Sequence, residues 1–236
     1  DIPNEFVARD LWVCAARVFD EELRAGGDAI ERYRRALELD PEHQVTILAL
    51  DRLYQQEGRY EDLSEILRLR IEQAEPEDQI DLFIRLSSVY ESALEDLEQA
   101  IACLREVLSI SSRHEEAIAA LERMFTAGLE QIQIGELLEP IYIERGQHAQ
   151  LRDLLHALLV HTPAGDDRTR ALHRLATLSL EELDDAEGAL VLYCRALREY
   201  PGDEDARREA ARLAEVTGDW LSLVQAYNTM LTSSPD

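Results

Sequence analysis

Six histidines, three cysteines and a large excess of carboxylates are the residues of this chain that could do chemistry. A helical metal site needs two ligands four residues apart on one face, or an HExxH run. His156 and His161 are five apart, and His148 and His156 are eight apart, so neither pair has that spacing. They read instead as histidines on helix surfaces or at helix ends. Cys14, Cys103 and Cys194 lie far apart, each inside an apolar helical pattern. No CxxC occurs and the count is odd, so they read as small buried apolar side chains rather than a disulfide framework. Acidic pairs such as Glu115-Glu116, Glu181-Glu182 and Asp184-Asp185 would need burial in a cleft to exchange protons with a substrate. At helix starts they more simply complement the helix dipole. The phosphate-cradling and nucleophile-elbow motifs GxxxxGK[ST], GxGxxG and GxSxG are absent. The expectation is a chain with no catalytic centre, no metal and no cofactor, and therefore not an enzyme.

The elements that would position any other site must be read from composition and periodicity. Apolar residues make up 46% of the 236, with 10 Gly and 7 Pro, which favours long helices and short loops over a many-stranded sheet. Aspartate and glutamate number 49 against 24 Lys and Arg, for a formal charge of −25. A field of that sign repels phosphate, so nucleic acid and anionic membranes are disfavoured as partners. The excess reads either as a solvated surface or as a match to a basic partner. Every basic residue is Arg, and a GC-rich bacterial genome accounts for that without function. No apolar run approaches a membrane span and no lipidation motif occurs, so direct membrane insertion is not expected and the cytoplasm is favoured. The sequence begins at Asp1 rather than Met, which leaves any leader unread.

The chain repeats itself. Residues 11–54 align without a gap on 82–125 at an offset of 71, and 171–214 align on 82–125 at an offset of 89. Phe19 faces Tyr90, Ala29-Ile30 faces Ala100-Ile101, Leu37 faces Leu108, and Ala189 faces Ala100. Within each copy the apolar spacing is helical: Leu11, Ala15, Val18 and Phe19 form one expected buried stripe, and Ile30, Tyr33, Ala36 and Leu37 the next. Gly26-Gly27, Asp40-Pro41, Gly58, Pro201-Gly202 and Gly218-Asp219 are the expected breaks.

These residues resemble the tetratricopeptide repeat, a helix–turn–helix unit of about 34 residues. One unit reads Trp12, Ala15-Ala16, Phe19, Ala29, Tyr33, Ala36, Pro41; another reads Phe83, Leu86-Ser87, Tyr90, Ala100, Leu104, Val107. A late unit reads Leu172, Leu175-Ala176, Ala189, Tyr193, Ala196, Pro201. The resemblance implies an all-α, right-handed solenoid of paired helices, A then B, with about 13 helices in a single superhelical domain over 1–236. The expected repeats are 9–42, 43–78, 79–113, 114–130 with an irregular helix pair at 131–164, then 166–202 and 203–236. The offsets differ by 89 − 71 = 18 residues, one helix and a turn. Gln131–Arg145, with Pro140 as a kink point, and His148–His161 are the two helices of that segment. Either a pair is out of register there, or one B helix is replaced.

In this family the A helices line a concave face along which a ligand peptide lies. The resemblance carries Arg17, Arg52, Ser88, Arg123, Thr177 and Arg212 onto one inward position, Arg85 and Arg174 onto a second, and His173 and Arg208 onto a third. The partner-binding candidates are Arg17, Arg52, Arg85, Arg123, Arg174 and Arg212. Such a row would favour a protein or peptide bearing acidic or carboxylate groups through bidentate hydrogen bonds. The competing reading is that these arginines pair with acids of neighbouring helices. The Lys/Asn carboxylate clamp of the family's co-chaperones has no counterpart, because Lys is absent and Asn4 and Asn228 are the sole asparagines. The expected function is a protein–protein interaction scaffold; the alternative is a structural spacer that associates with itself through the ends of the array.

Overall fold

The computed structural model describes residues 5–233, and among them there are thirteen α-helices and no strand. Residues 1–121 and 122–236 form two compact units, with the boundary inside the seventh helix. The first unit contains α1 (Glu5–Arg17), α2 (Gly26–Leu39), α3 (Gln44–Glu57), α4 (Tyr60–Gln73), α5 (Pro76–Ser92) and α6 (Leu97–Ile110). The seventh, α7, is Glu115–Thr126. The second unit contains α8 (Gln131–Arg145), α9 (His148–Leu158), α10 (Asp166–Glu181), α11 (Ala186–Glu199), α12 (Glu204–Thr217) and α13 (Trp220–Ser233). The number of helices agrees with the number expected from the repeat.

Each helix buries one stripe because its apolar residues recur at three- and four-residue intervals. In α3 the stripe is Ile47, Leu50 and Tyr54, and in α4 it is Leu63, Ile66, Leu67 and Ile71. Consecutive helices pack on one another from α1 to α6 in the first unit and from α8 to α13 in the second. Small residues at the crossings (Ala29 and Ala36, Ala100, then Ala176, Ala189 and Ala196) are fully covered and let the helix axes approach. Each fully buried Leu or Ile contributes on the order of 1.5–3 kcal/mol from the water it leaves. No described helix is long and apolar enough to cross a membrane.

The turns carry the repeat into the backbone. Arg24, Glu95 and Asp184 adopt positive φ of 51, 54 and 53°. Their spacings, 95 − 24 = 71 and 184 − 95 = 89, are those of the sequence copies. In all three turns a following N–H donates back to the A helix: Ala25 to Phe19, Asp96 to Tyr90 and Asp185 to Ser179, at 2.8–2.9 Å. Asp96 and Asp185 then cap the next helix, accepting from the N–H of Gln99 (3.1 Å) and Gly188 (2.8 Å). Other A helices close differently, on a left-handed Gly58, Gly146 or Gly218, where a side chain would be strained.

Three expectations fail near the first helix. Val13 and Ala16 are its buried residues, whereas Leu11 is 62% and Val18 50% exposed. Beyond Arg17 the chain passes into a five-residue π-helical turn, Val18–Glu22, which rotates the following side chains off the α-helical register. Cys14, on α1, is exposed, while Cys103 and Cys194 are buried. Gly26 and Gly27 do not break the chain; they open α2, and the turn lies just before them at Arg24 and Ala25.

Candidate partner-binding face

The six arginines are placed by the helices that open each pair, and most of them already hold an acid. In the first unit, Arg52 of α3 reaches back to Asp20 in the π-helical turn and also donates to Gln56 at 3.1 Å. Arg85 of α5 reaches back to Asp51 of α3 with both terminal nitrogens, at 2.5 and 2.8 Å, and contacts Gln55 as well. Arg17 holds Glu21 on its own turn at 3.6 Å. In the second unit Arg174 of α10 reaches back to Glu139 of α8 at 2.5 Å, and Arg212 holds Glu209 at 2.9 Å within α12. Arg123, on α7, also has an interaction partner. Five of the six are therefore guanidinium groups held by the protein's own carboxylates.

Asp51 is the residue that sequence reasoning missed. It is 4% exposed, and Arg70 of α4 joins Arg85 in holding it. A carboxylate so buried is stable only with hydrogen-bonded cations on it. Beside Leu50 and Leu53 it looks like an ordinary polar residue at the edge of an amphipathic stripe. The available signal was spacing: acids stand 32, 34 and 35 residues before Arg52, Arg85 and Arg174, at Asp20, Asp51 and Glu139. Three further positions expected to face inward, His173, Arg208 and Ser88, are also engaged. His173 hydrogen-bonds Asp203 at 2.6 Å and meets the Tyr193 ring edge-on at 5.3 Å. Arg208 pairs with Asp205 at 2.7 Å, and the Ser88 hydroxyl donates to the Ile84 carbonyl at 3.1 Å.

Apolar surface accompanies the charges. Val45 and Leu48 of α3 are 54% and 50% exposed, and with Arg52 they follow one another at three- and four-residue steps, on one helix face. Leu48 borders a recess of about 400 Å³ whose other walls include Ala74, Leu82, Arg70, Asp78 and Asp81. Burial pushes the Cys103 thiol up to about 11 and raises Cys194 as well, so both stay protonated. Among the described residues no group of three or more His, Cys, Asp or Glu is placed to hold a metal ion.

Residues 80–114, which span most of α5 and α6, match the family profile of the tetratricopeptide repeat. Among solved structures the chain is similar to the TPR2AB-domain:pHSP90 complex of yeast Sti1, at 17% identity over 95% of this chain and 90% of that one, with a TM-score of 0.37. It is similar to YrrB, a TPR protein described as having an unusual peptide-binding site, at 17% identity over 84% and 89%, with a TM-score of 0.33. It is also similar to TTC0263, a thermophilic TPR protein of Thermus thermophilus, at 21% identity over 87% and 98%, with a TM-score of 0.30. The similarity extends no further than the helical-repeat fold. A search of curated protein sequences finds no significant match.

Proposed function

We propose that this chain, a tetratricopeptide-repeat protein, is a protein–protein interaction scaffold that receives a peptide or partner surface along its A helices. The repeat class supports the scaffold in general. The observation that carries the finer reading is the strip Val45, Leu48 and Arg52, where large apolar side chains stand in water beside an oriented guanidinium and a recess. A rigid surface of that kind binds with little ordering of its own side chains. The contact residues of this reading are Arg17, Arg52, Arg85, Arg123, Arg174 and Arg212. A carboxylate of the partner would take over a guanidinium from an internal acid, exchanging one charge-assisted pair for another. The exchange is easiest at Arg17, Arg52, Arg174 and Arg212, whose side chains are about half exposed. The test is Arg52→Glu combined with Arg123→Glu. Partner recovery from the native source should fall while helicity by circular dichroism is unchanged. Recovery equal to that of the unaltered chain rejects the A-helix surface.

A second reading, a structural unit that associates with itself, is favoured by one specific observation. The first and last helices leave large apolar side chains in water: Phe6, Leu11 and Trp12 on α1, and Trp220, Leu221 and Leu231 on α13. Sedimentation over a hundredfold range of concentration separates the readings, since stacking through these faces raises the apparent mass.

A further inference from the structure

Two furrows run along the B-helix side of the first unit, one on each flank of α4. The first lies between α2 and α4, holds about 260 Å³, and has Leu37, Tyr54 and Ile66 for its apolar surface. The second lies between α4 and α6, holds about 300 Å³, and has Ile71, Phe83, Leu86 and Cys103. They are the same feature repeated. Arg34, Leu37 and Glu38 line the first, and Arg68, Ile71 and Glu72 line the second, each 34 residues further on.

The charges at their mouths are unequal. In both furrows the arginine is already engaged across the gap: Arg34 with Asp62 at 3.8 Å, and Arg68 with the Tyr90 hydroxyl at 3.0 Å and Gln99 at 2.9 Å. Glu38 is held by Arg35 at 3.0 Å. Glu65 on the first furrow, and Glu72 and Glu106 on the second, make no ion pair or side-chain hydrogen bond among the described residues. An apolar trough edged by unpaired carboxylates is the complement of a long aliphatic stem ending in a cation. The size is also right for single side chains, being at or below the roughly 300 Å³ lower limit of pockets that enclose a whole ligand.

We propose that these paired furrows dock a basic segment of a partner protein, one Arg or Lys stem lying in each and its cationic head meeting Glu65 or the Glu72–Glu106 pair. The two cations must stand about one helix width apart, roughly 10 Å. Residues i and i+3 of a polyproline II segment satisfy that, being on one face and about 9 Å apart. None of the six A-helix arginines lines this surface, and it selects the opposite charge. It also gives a specific destination to part of the chain's −25 excess.

The probe is a fluorescein-labelled peptide of Arg-Pro-Pro repeats, followed by fluorescence anisotropy at two salt concentrations. A peptide of Glu-Pro-Pro repeats should not bind. Ala102→Trp fills the second furrow from a half-buried position and leaves the charges intact. That change, or Glu72→Gln with Glu106→Gln, should weaken the basic probe about tenfold, the equivalent of one lost charge-assisted contact. Arg52→Glu with Arg123→Glu should not weaken it, so failure here and failure of the A-helix reading are told apart. Equal loss on neutralising two exposed acids of the second unit, Glu204→Gln and Glu215→Gln, would show general charge attraction and overturn the proposal. Full displacement by spermine at the probe's own concentration would replace the protein segment by a small polycation, and overturn it too. Unchanged binding by Ala102→Trp with native helicity overturns it directly.

Discussion

The helix pairs α5–α6 and α8–α9 have the same architecture and reach it by different means. In α5–α6 the crossing is filled: Leu82, Leu86 and Tyr90 meet Ala100, Ile101, Leu104 and Val107, and all are buried. Pro76 starts α5 at its first turn, where a missing N–H does no harm, and Asp96 caps α6. In α8–α9 the crossing is close because Gly135 has no side chain; a Cβ there would stand 2.8 Å from Cδ1 of Leu158. Pro140 sits inside α8, where it deletes a backbone hydrogen bond. Gln147 at the start of α9 makes no cap, and its side-chain oxygen is buried without a hydrogen-bond partner. The contrast teaches that a repeat can keep its backbone after losing the side chains by which its sequence is known. The family profile accordingly matches 80–114.

The largest test of this difference is Leu86→Ala, which empties a filled crossing. It should lower the stability of α5–α6 by about 3 kcal/mol, read by amide hydrogen exchange in those helices. A loss below about 1 kcal/mol would mean that the pair is not held by its packing. Next comes Gly135. Its Ala variant should be near neutral, because the gain in helix propensity offsets the displacement of a flexible Leu158 tip. The Val variant presses two more methyl groups on α9 and should lose about 2 kcal/mol in urea unfolding. If Val is also neutral, the close approach at Gly135 is not what sets the α8–α9 crossing.

The smallest effect is confined to alkaline pH. Tyr90 of α5 accepts from Arg68, whereas Tyr142 of α8 donates to Glu122 at 2.9 Å. Burial first, and then that carboxylate, hold the Tyr142 proton on well above the ordinary tyrosine value. A group raised on folding contributes stability that is complete below its unfolded value, near pH ~10, and is lost as pH rises through the folded one. Near-ultraviolet absorbance of the phenolate should show a tyrosine ionising late, and Tyr142→Phe should remove that most alkaline component. Persistence of the component in the Phe variant would assign it to another ring.

Much of the fold was legible because apolar periodicity survives decay of the motif. The bounds Gln131–Arg145 follow from Ile134, Leu138 and Tyr142 even with Pro140 among them, and the same α8 is found. The first helix was less legible, since the π-helical turn after Arg17 breaks the three- and four-residue register and leaves Val18 in water. Residue type and repeat position gave the arginines, but not their partners. Pairing depends on which carboxylate a neighbouring helix presents, so Asp51 became visible once α3, α4 and α5 were in place.

Asp51 also bears on how the gene for such a protein can grow. Repeat arrays lengthen when recombination copies a unit, and the copy inherits the parent's side chains. The two cations on Asp51 come from its own unit, Arg70, and from the unit after it, Arg85. The neighbouring copies carry Ala49 and Cys14 at the place of Arg85. A duplicate spliced between α4 and α5 would set one of those against the buried carboxylate and take a counter-ion from it. This junction is a seam at which the array resists insertion, whereas a junction without such a buried acid would accept a new unit silently.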